Sequence, residues 1–156
     1  MKKAGMKRRH RCRGRYVGWL CVVCEGRQVA YHYNWFDRER ITIVSNEALQ
    51  IGEVTVTMEF AYDGGGLGKG GEAVIGINGK EAGRARLANT VAGRFGIDTF
   101  GVGSDTGSPV SNDYTAPFRF TGKIKHVNFE LGPQNLSRED EEKLRALESM
   151  FVSTQE

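Results

Sequence analysis

The chain has 156 residues, enough for one domain that can bury a hydrophobic core. Hydrophobic residues make up 39% and aromatic residues 10% of the sequence, which argues against a disordered protein, and no apolar run reaches the roughly 18 residues that a membrane-spanning helix needs. The net charge of +3 is unevenly distributed, because eight of the 22 basic residues lie in residues 1–15 with no acidic one, which leaves 14 basic against 19 acidic residues elsewhere.

The basic start of the chain, residues 1–15, is predicted to be a disordered tail. A tail of this charge could touch nucleic acid or an anionic membrane, but a solvated chain end is the simpler interpretation, so neither partner is expected. The apolar run after the tail is short, and no small-residue cleavage site comes after it. We therefore do not predict a signal peptide, and the cellular location stays open.

The cysteines do not predict a disulfide framework or a metal site. They are Cys12, Cys21 and Cys24. Their odd number cannot form complete pairs, and a single C-x-x-C spacing lacks the two further ligands of a structural zinc site. We interpret them as small hydrophobic side chains.

The sequence after the tail predicts a β-hairpin. An apolar run at 19–24 and a second run at 28–35 flank a short turn. In the second run Val29, Tyr31 and Tyr33 alternate with more polar residues, so this strand is expected to have one aromatic face.

Further strands are predicted in the middle of the chain. Residues 40–45 predict a short strand, and residues 53–62 alternate in the manner of a half-buried antiparallel strand. The apolar face of the second of these consists of Val54, Val56, Met58 and Phe60. Asn78-Gly79 lies between two strand-like runs at 72–87, and this dipeptide is the strongest short-range signal for a hairpin turn.

The last strands are predicted at 94–103 and 118–131. The apolar side chains of the final strand are Ile124, Val127, Phe129 and Leu131. Their spacing slips by one residue near Lys125-His126, which we interpret as a β-bulge.

Together these patterns predict an all-β fold, an antiparallel two-sheet sandwich of the jelly-roll type, over residues 16–131. Residues 132–156 are predicted to form a linker and a C-terminal helix. Ser137 followed by acidic residues is typical of a helix start, and Leu144, Leu147 and Phe151 form one apolar stripe.

The glycine-rich stretch at 62–71 raises the question of a phosphate-binding loop. The P-loop pattern fails, because the residue after Gly68-Lys69 is glycine. The G-x-G-x-x-G pattern is present, but the next residues are predicted to form a strand rather than the helix that would meet a pyrophosphate. We therefore predict a flexible connection between strands, with Asp63 and Lys69 exposed as candidate binding residues in a loop that borders a partner site. Lys69 could bind an anion, but a solvated loop charge is the simpler interpretation.

Catalytic and metal-binding constellations are not predicted elsewhere. The three histidines lie in the tail and in two separate strands, and His32 can equally be a hydrogen-bonded sheet residue or a ligand. The loop aspartates do not have the regular spacing of a calcium loop and are interpreted as turn residues. They are Asp63, Asp98, Asp105 and Asp113.

Three stretches resemble a known family. They are HYNWFDRERITIVSNEAL, EFAYDGGGLGKGGEAVIGINGKEAGRAR and GVGSDTGSPVSNDYTAPFRFTGKIKHVNFEL. In combination they resemble the C-terminal region of large bacterial arylsulfatases, over about residues 18–131. The Asn-Gly hairpin and the closing F-x-G-x-I pattern are also similar to laminin-G and concanavalin-like jelly rolls, which implies the same sandwich fold.

The resemblance stops short of the sulfatase active site. Sulfatases carry a cysteine or serine with proline two positions and arginine four positions later, and oxidise it to formylglycine beside a bound Ca²⁺. None of the cysteines has this context, and Thr115, which has Pro117 and Arg119 at those positions, would be oxidised to a ketone. The resemblance implies that Ca²⁺ and formylglycine belong to a separate catalytic domain, and that this chain carries no cofactor.

The resemblance therefore implies a detached or truncated accessory domain that has no catalytic activity alone. Its expected partner is a sulfatase catalytic domain, in the same polypeptide as in relatives or in a separate one. The alternative is a lectin-like carbohydrate-binding module, since sandwiches of this type often bind glycans. In that case Trp35 and Tyr114 are the candidate residues for stacking on sugars.

Overall fold

The computed structural model describes residues 19–25, 27–92, 101–105, 109–110, 115–132 and 136–153. The elements in these ranges are β1 (Trp19–Glu25), β2 (Gln28–Trp35), β3 (Glu39–Val44), β4 (Val56–Tyr62), β5 (Lys69–Ile77), β6 (Lys80–Asn89), β7 (Ser104–Asp105), β8 (Phe118–Arg119) and α1 (Arg138–Ser153). The described residues thus form mostly antiparallel β-structure with one helix. The predicted tail at 1–15 and most of the predicted strand at 94–103 lie outside the described residues.

The first sheet has the strand order β1-β2-β3, and both pairs are antiparallel. The hairpin predicted from the sequence is confirmed, with Val22 opposite Tyr31. The expectation that β2 has a single aromatic face was incomplete, because every residue from Val29 to Asn34 is buried. Two polar members of β2 are hydrogen-bonded locally: His32 Nδ1 lies 3.0 Å from Thr42 Oγ1, and Asn34 Oδ1 accepts from the Asp37 amide at 2.9 Å.

The second sheet has the order β4-β5-β6, again with antiparallel pairs. The predicted Asn-Gly hairpin is confirmed, because Asn78 and Gly79 form the turn between β5 and β6 with φ angles of 50° and 78°. Both angles are in the left-handed region, which a tight hairpin turn of this type requires. The β5–β6 ladder shifts register between Ile75 and Gly76, so that Ala82 has no paired residue and forms a bulge.

The two sheets share one hydrophobic core. Its buried members are Val29, Tyr31, Tyr33, Ile43, Ala73, Ile75, Ile77, Ala82 and Leu87, from β2, β3, β5 and β6. The sheets also touch along one edge, where the Asn46 amide donates to the Ala82 carbonyl oxygen at 2.7 Å. At the same edge a Cβ on Gly83 would lie 2.9 Å from Ile43 Cγ2, so a glycine is needed for this close approach.

The prediction of a final strand at 118–131 was wrong beyond Arg119. Only β8 forms there, paired with β7, and residues 120–132 are neither helix nor strand. Because the segment is not a strand, the bulge predicted near Lys125 is not present either. An alternating apolar pattern becomes a strand only when a neighbouring strand supplies hydrogen bonds, and no strand among the described residues pairs with 120–131. The apolar side chains of this segment therefore remain exposed, up to 91% for Leu131.

The predicted C-terminal helix is confirmed as α1. The Ser137 hydroxyl accepts a hydrogen bond from the Asp140 amide at 3.1 Å, which is the expected N-cap interaction. Of the predicted apolar stripe, Leu144 is half-buried and Leu147 is exposed. The Phe151 side chain lies outside the part of the chain that is described.

Candidate functional site

The loop between β4 and β5, which we call the glycine loop (residues 63–68), has a defined conformation. Gly64, Gly65 and Gly66 have φ angles of 73°, 75° and 113°, which residues with a Cβ rarely adopt. The Tyr62 hydroxyl donates a hydrogen bond to the Gly66 carbonyl and accepts one from the Lys69 amide at 3.0 Å. The loop is thus tied across its base by one tyrosine side chain, which was not among the residues predicted from the sequence.

The strand predicted after the glycine loop is confirmed as β5. β5 begins at Lys69, where a phosphate-binding loop would begin a helix. The Asp63 amide donates to the Gly70 carbonyl oxygen at 3.0 Å, which continues the β4–β5 pairing to the edge of the loop. The glycines therefore connect two paired strands, as predicted.

The two candidate binding residues of the loop differ in their environments. Asp63 is engaged by Arg86, whose Nη1 donates to Asp63 Oδ1 at 2.7 Å while Nη2 pairs with Oδ2. The hydrogen bond that Arg86 donates to the Asp63 carboxylate raises the pKa of Arg86. Lys69 is exposed, and its ammonium group has no ion pair with any of the described residues. Among the two, only Lys69 is thus available to bind an anion.

Arg86 was not predicted as a site residue. The register of the β5–β6 hairpin places Arg86 opposite Glu72. On the other side of β5, Glu72 pairs with Ala61, which lies two residues before Asp63. Counted from the Asn-Gly turn alone, the residue opposite Glu72 would be Ala85, and only the bulge at Ala82 shifts the ladder so that Arg86 takes that place. Predicting the contact with Asp63 also requires the β4–β5 register. That register cannot be inferred from the sequence across the glycine loop.

The start of α1 lies beside the glycine loop. The nearest Asp140 carboxylate oxygen would be 3.6 Å from a Cβ placed on Gly66. The same carboxylate accepts a hydrogen bond from the Ser137 hydroxyl at 2.6 Å. The loop is therefore bordered by a carboxylate on the helix side and by the Lys69 ammonium group on the strand side.

The turn between β2 and β3 carries the other candidate, Trp35. Its half-buried ring meets Phe36 edge to face, with centroids 5.8 Å apart, and the Arg38 guanidinium carbon lies 5.8 Å from the Trp35 ring centroid. Phe36 and Asp37 both have positive φ angles, 53° and 59°, which are uncommon for residues other than glycine. Tyr114 lies outside the described residues, so sugar stacking by Trp35 and Tyr114 stays a prediction.

The remaining candidate residues lie in surroundings that indicate structural roles. His32 is buried and bonded to Thr42, so it is a sheet residue here. Cys24 is half-buried, and loss of solvation raises the pKa of its thiol, which disfavours the reactive thiolate. Asp105 lies in β7, while Asp98 and Asp113 are not among the described residues.

The described residues do not fit the Ca²⁺ and formylglycine of a sulfatase. Across the described ranges, no three carboxylate, imidazole or thiol side chains come together as metal ligands would. Thr115 is exposed, and a secondary alcohol cannot be oxidised to an aldehyde. Separately, no helix in the described ranges has both the length and the apolar character of a membrane span.

A surface that was not predicted as a site is formed by residues 120–131, which we call the apolar segment. Its exposed hydrophobic members are Phe120, Ile124, Val127, Phe129 and Leu131. Lys125 forms an ion pair with Glu53, so the segment passes beside the start of the second sheet. The signal for this surface was present in the sequence as the alternating pattern that we interpreted as a strand.

Comparisons with known proteins found no match to this chain among family models, curated proteins or solved structures.

Proposed function

We propose that this chain is a non-catalytic accessory domain that packs on the catalytic domain of an arylsulfatase-like sulfuric ester hydrolase, in the same polypeptide or in a separate one. The resemblance of the three sequence stretches supports the choice of partner. We also propose that the sheets belong to a sandwich of the concanavalin or laminin-G type. That finer fold is supported by the shared core, to which β2 and β5 both contribute.

The observation that carries this proposal is the exposure of the apolar segment. Phe129 is 62% and Leu131 is 91% exposed, in a stretch that also exposes Ile124 and Val127. Several large apolar side chains exposed within one short segment are the kind of surface that an interface with another protein or domain covers. Docking would remove these side chains from water, which is worth about 25 cal/mol for each Å² of apolar surface buried.

The glycine loop has a secondary part in this proposal. Its conformation is fixed by the Tyr62 hydroxyl, and Lys69 presents beside it an exposed ammonium group that forms no ion pair with the described residues. The exposed cation on the strand side of the loop suits the border of a site that receives an anionic substrate, while the Asp140 carboxylate on the helix side is engaged by the Ser137 hydroxyl. The reaction itself is assigned to the partner, together with its Ca²⁺ and formylglycine.

The test is to mix the chain with an arylsulfatase catalytic domain purified without its own C-terminal region. We expect a complex in size-exclusion chromatography, and slower hydrogen exchange in the apolar segment within that complex. The double variant Phe129→Ser/Leu131→Ser should weaken the complex about tenfold or more, since two large apolar contacts are lost. The chain alone should not hydrolyse an aryl sulfate, even with Ca²⁺ and the maturation enzyme.

The matched control is Ile51→Ser. Ile51 is 96% exposed and lies outside the apolar segment, so its replacement should leave the complex unchanged. Equal weakening by Ile51→Ser, or a complex without protection of residues 120–131, would contradict docking through this segment. Turnover by the isolated chain above that of a Thr115→Ala variant would contradict the assignment of the reaction to the partner.

A further inference from the structure

Among the residues that the structure describes, β4 forms an open edge of the second sheet. The Asn78 amide donates to the Thr55 carbonyl oxygen at 2.9 Å, and the Asp63 amide donates to the Gly70 carbonyl oxygen at 3.0 Å. Backbone groups alternate in direction along a strand, so odd-numbered residues of β4 point towards β5. The even-numbered residues Val56, Met58 and Phe60 point their N–H and C=O groups away from the sheet. No strand in the described ranges pairs with this edge.

This edge lacks the usual protection against added strands. Exposed edges are commonly protected by proline, lysine, a bulge or a very short strand. β4 has seven residues, VTMEFAY, with no proline and no lysine, and its pairing with β5 is regular throughout. β4 therefore offers a continuous row of hydrogen-bonding groups to an extended chain.

The side chains of β4 define what kind of strand fits the edge. Val56 and Phe60 are each 37% exposed and Tyr62 is 42% exposed, on the face where Met58 packs against the core. An added strand would cover these residues with apolar side chains of its own, at every second position. The opposite face of β4 carries Glu59, which is exposed and has no ion pair with the described residues.

We propose that β4 binds an extended strand of another protein in which apolar side chains alternate with lysine or arginine. The backbone of this strand pairs with Val56, Met58 and Phe60, its apolar residues extend the core face, and a basic residue lies across from Glu59. This mode of recognition adds a strand to the edge of a sheet. Backbone hydrogen bonds provide the affinity, and alternate side chains provide the specificity. It does not depend on the identity of the partner that docks on the apolar segment.

Charge favours such a partner over a second copy of this chain. In an antiparallel pairing of two β4 strands centred on Glu59, the two carboxylates would face each other, which is destabilising. When the pairing is centred on Met58 instead, Glu59 lies across from Thr57 of the partner copy, and no basic residue of β4 is available for it. A basic strand satisfies Glu59 in either register.

The test uses a short blocked peptide of alternating lysine and valine, labelled for fluorescence anisotropy, beside the same peptide with glutamate in place of lysine. The wild-type chain should bind the lysine peptide about fivefold more tightly or better, because one like-charge contact becomes an opposite-charge contact. Glu59→Lys should reverse that preference. Equal binding of both peptides by the wild type, or no binding of either, would overturn the proposal.

A second variant tests backbone pairing. Val56→Pro removes an N–H group that points away from β5, so the second sheet should remain intact while binding of the lysine peptide falls about tenfold. Val56→Thr retains the N–H group and should retain binding. A lysine peptide with two adjacent N-methylated residues, which blocks both of its edges, should fail to bind the unaltered chain.

Three results would count against strand addition. Val56→Pro could leave peptide binding unchanged, or the N-methylated peptide could bind as well as its parent. The wild-type chain could also form dimers that Val56→Pro dissociates without any peptide, in which case the occupant is a second copy.

Discussion

Gly70 illustrates how closely the strands of the second sheet approach one another. A Cβ at this position would collide with the Leu87 carbonyl oxygen and would lie 2.8 Å from the Ala88 carbonyl oxygen, both in β6. These atoms belong to the backbone of a neighbouring strand, so they cannot move aside as a flexible side chain could. The glycine is therefore needed for packing and not for an unusual backbone angle.

We expect Gly70→Ala to lower the free energy of unfolding by about 2–3 kcal/mol, because the added methyl group forces β5 and β6 apart. Urea denaturation measures this difference. Gly132→Ala is the matched control: nothing lies within 4 Å of the added Cβ, so the change should stay within about 0.5 kcal/mol. Equal effects of the two substitutions would mean that β5 and β6 are not packed this tightly.

Single residues of the candidate site were only partly predictable. Asp63 and Lys69 stood out because they are charged residues beside a run of glycines, where an exposed position was expected. That Asp63 is paired with Arg86, and is not a free ligand, depends on a contact between residues 23 positions apart. Composition and periodicity carry no information about such contacts, since the contacts depend on how two hairpin registers combine.

Hairpins were the elements that the sequence predicted best. The β1–β2 and β5–β6 pairs each have a short turn, and the Asn78-Gly79 turn specifies its own backbone angles. The prediction of the final strand was wrong because that strand depends on a distant part of the chain and not on a local turn. Residues 120–131 have the apolar alternation of a strand, but a strand forms only where a distant part of the chain pairs with it, and none of the described strands does. Local sequence does not show which distant segments will pair.

Helix α1 depends mainly on local interactions, so its cap is open to a direct test. Ser137→Ala should destabilise the first turn by about 1 kcal/mol, because the Asp140 amide loses its hydrogen-bond acceptor. Faster hydrogen exchange of the amides at the start of α1 would report this loss.

Ser149→Ala is the control within the same helix. The Ser149 hydroxyl donates to the Ala146 carbonyl oxygen in the helix interior, an interaction that adds little to helix stability. This substitution should leave exchange in the first turn unchanged. If Ser137→Ala and Ser149→Ala had the same effect there, the N-cap would not be what holds the start of α1.

The whole molecule depends on a core to which both sheets contribute. Tyr31 and Ile43 enter it from the first sheet, and Ile75 and Leu87 from the second. Neither three-stranded sheet has another described apolar cluster of this size to cover its inner face, and an isolated small sheet is only marginally stable. The edge strand β4, whose Met58 packs against this core, is therefore held in place by the same buried contacts.

The central claim, that two antiparallel sheets fold on one core, is tested most directly by native-state hydrogen exchange of Ile75→Ala against the wild type. Ile75 is fully buried in β5, so its truncation should cost about 3 kcal/mol. We predict that amides of β2 and of β5 lose protection by the same amount, whereas Val74→Ala, on the opposite face of β5, has a smaller effect on both. Loss of protection in β4, β5 and β6 with β2 unchanged would contradict the claim.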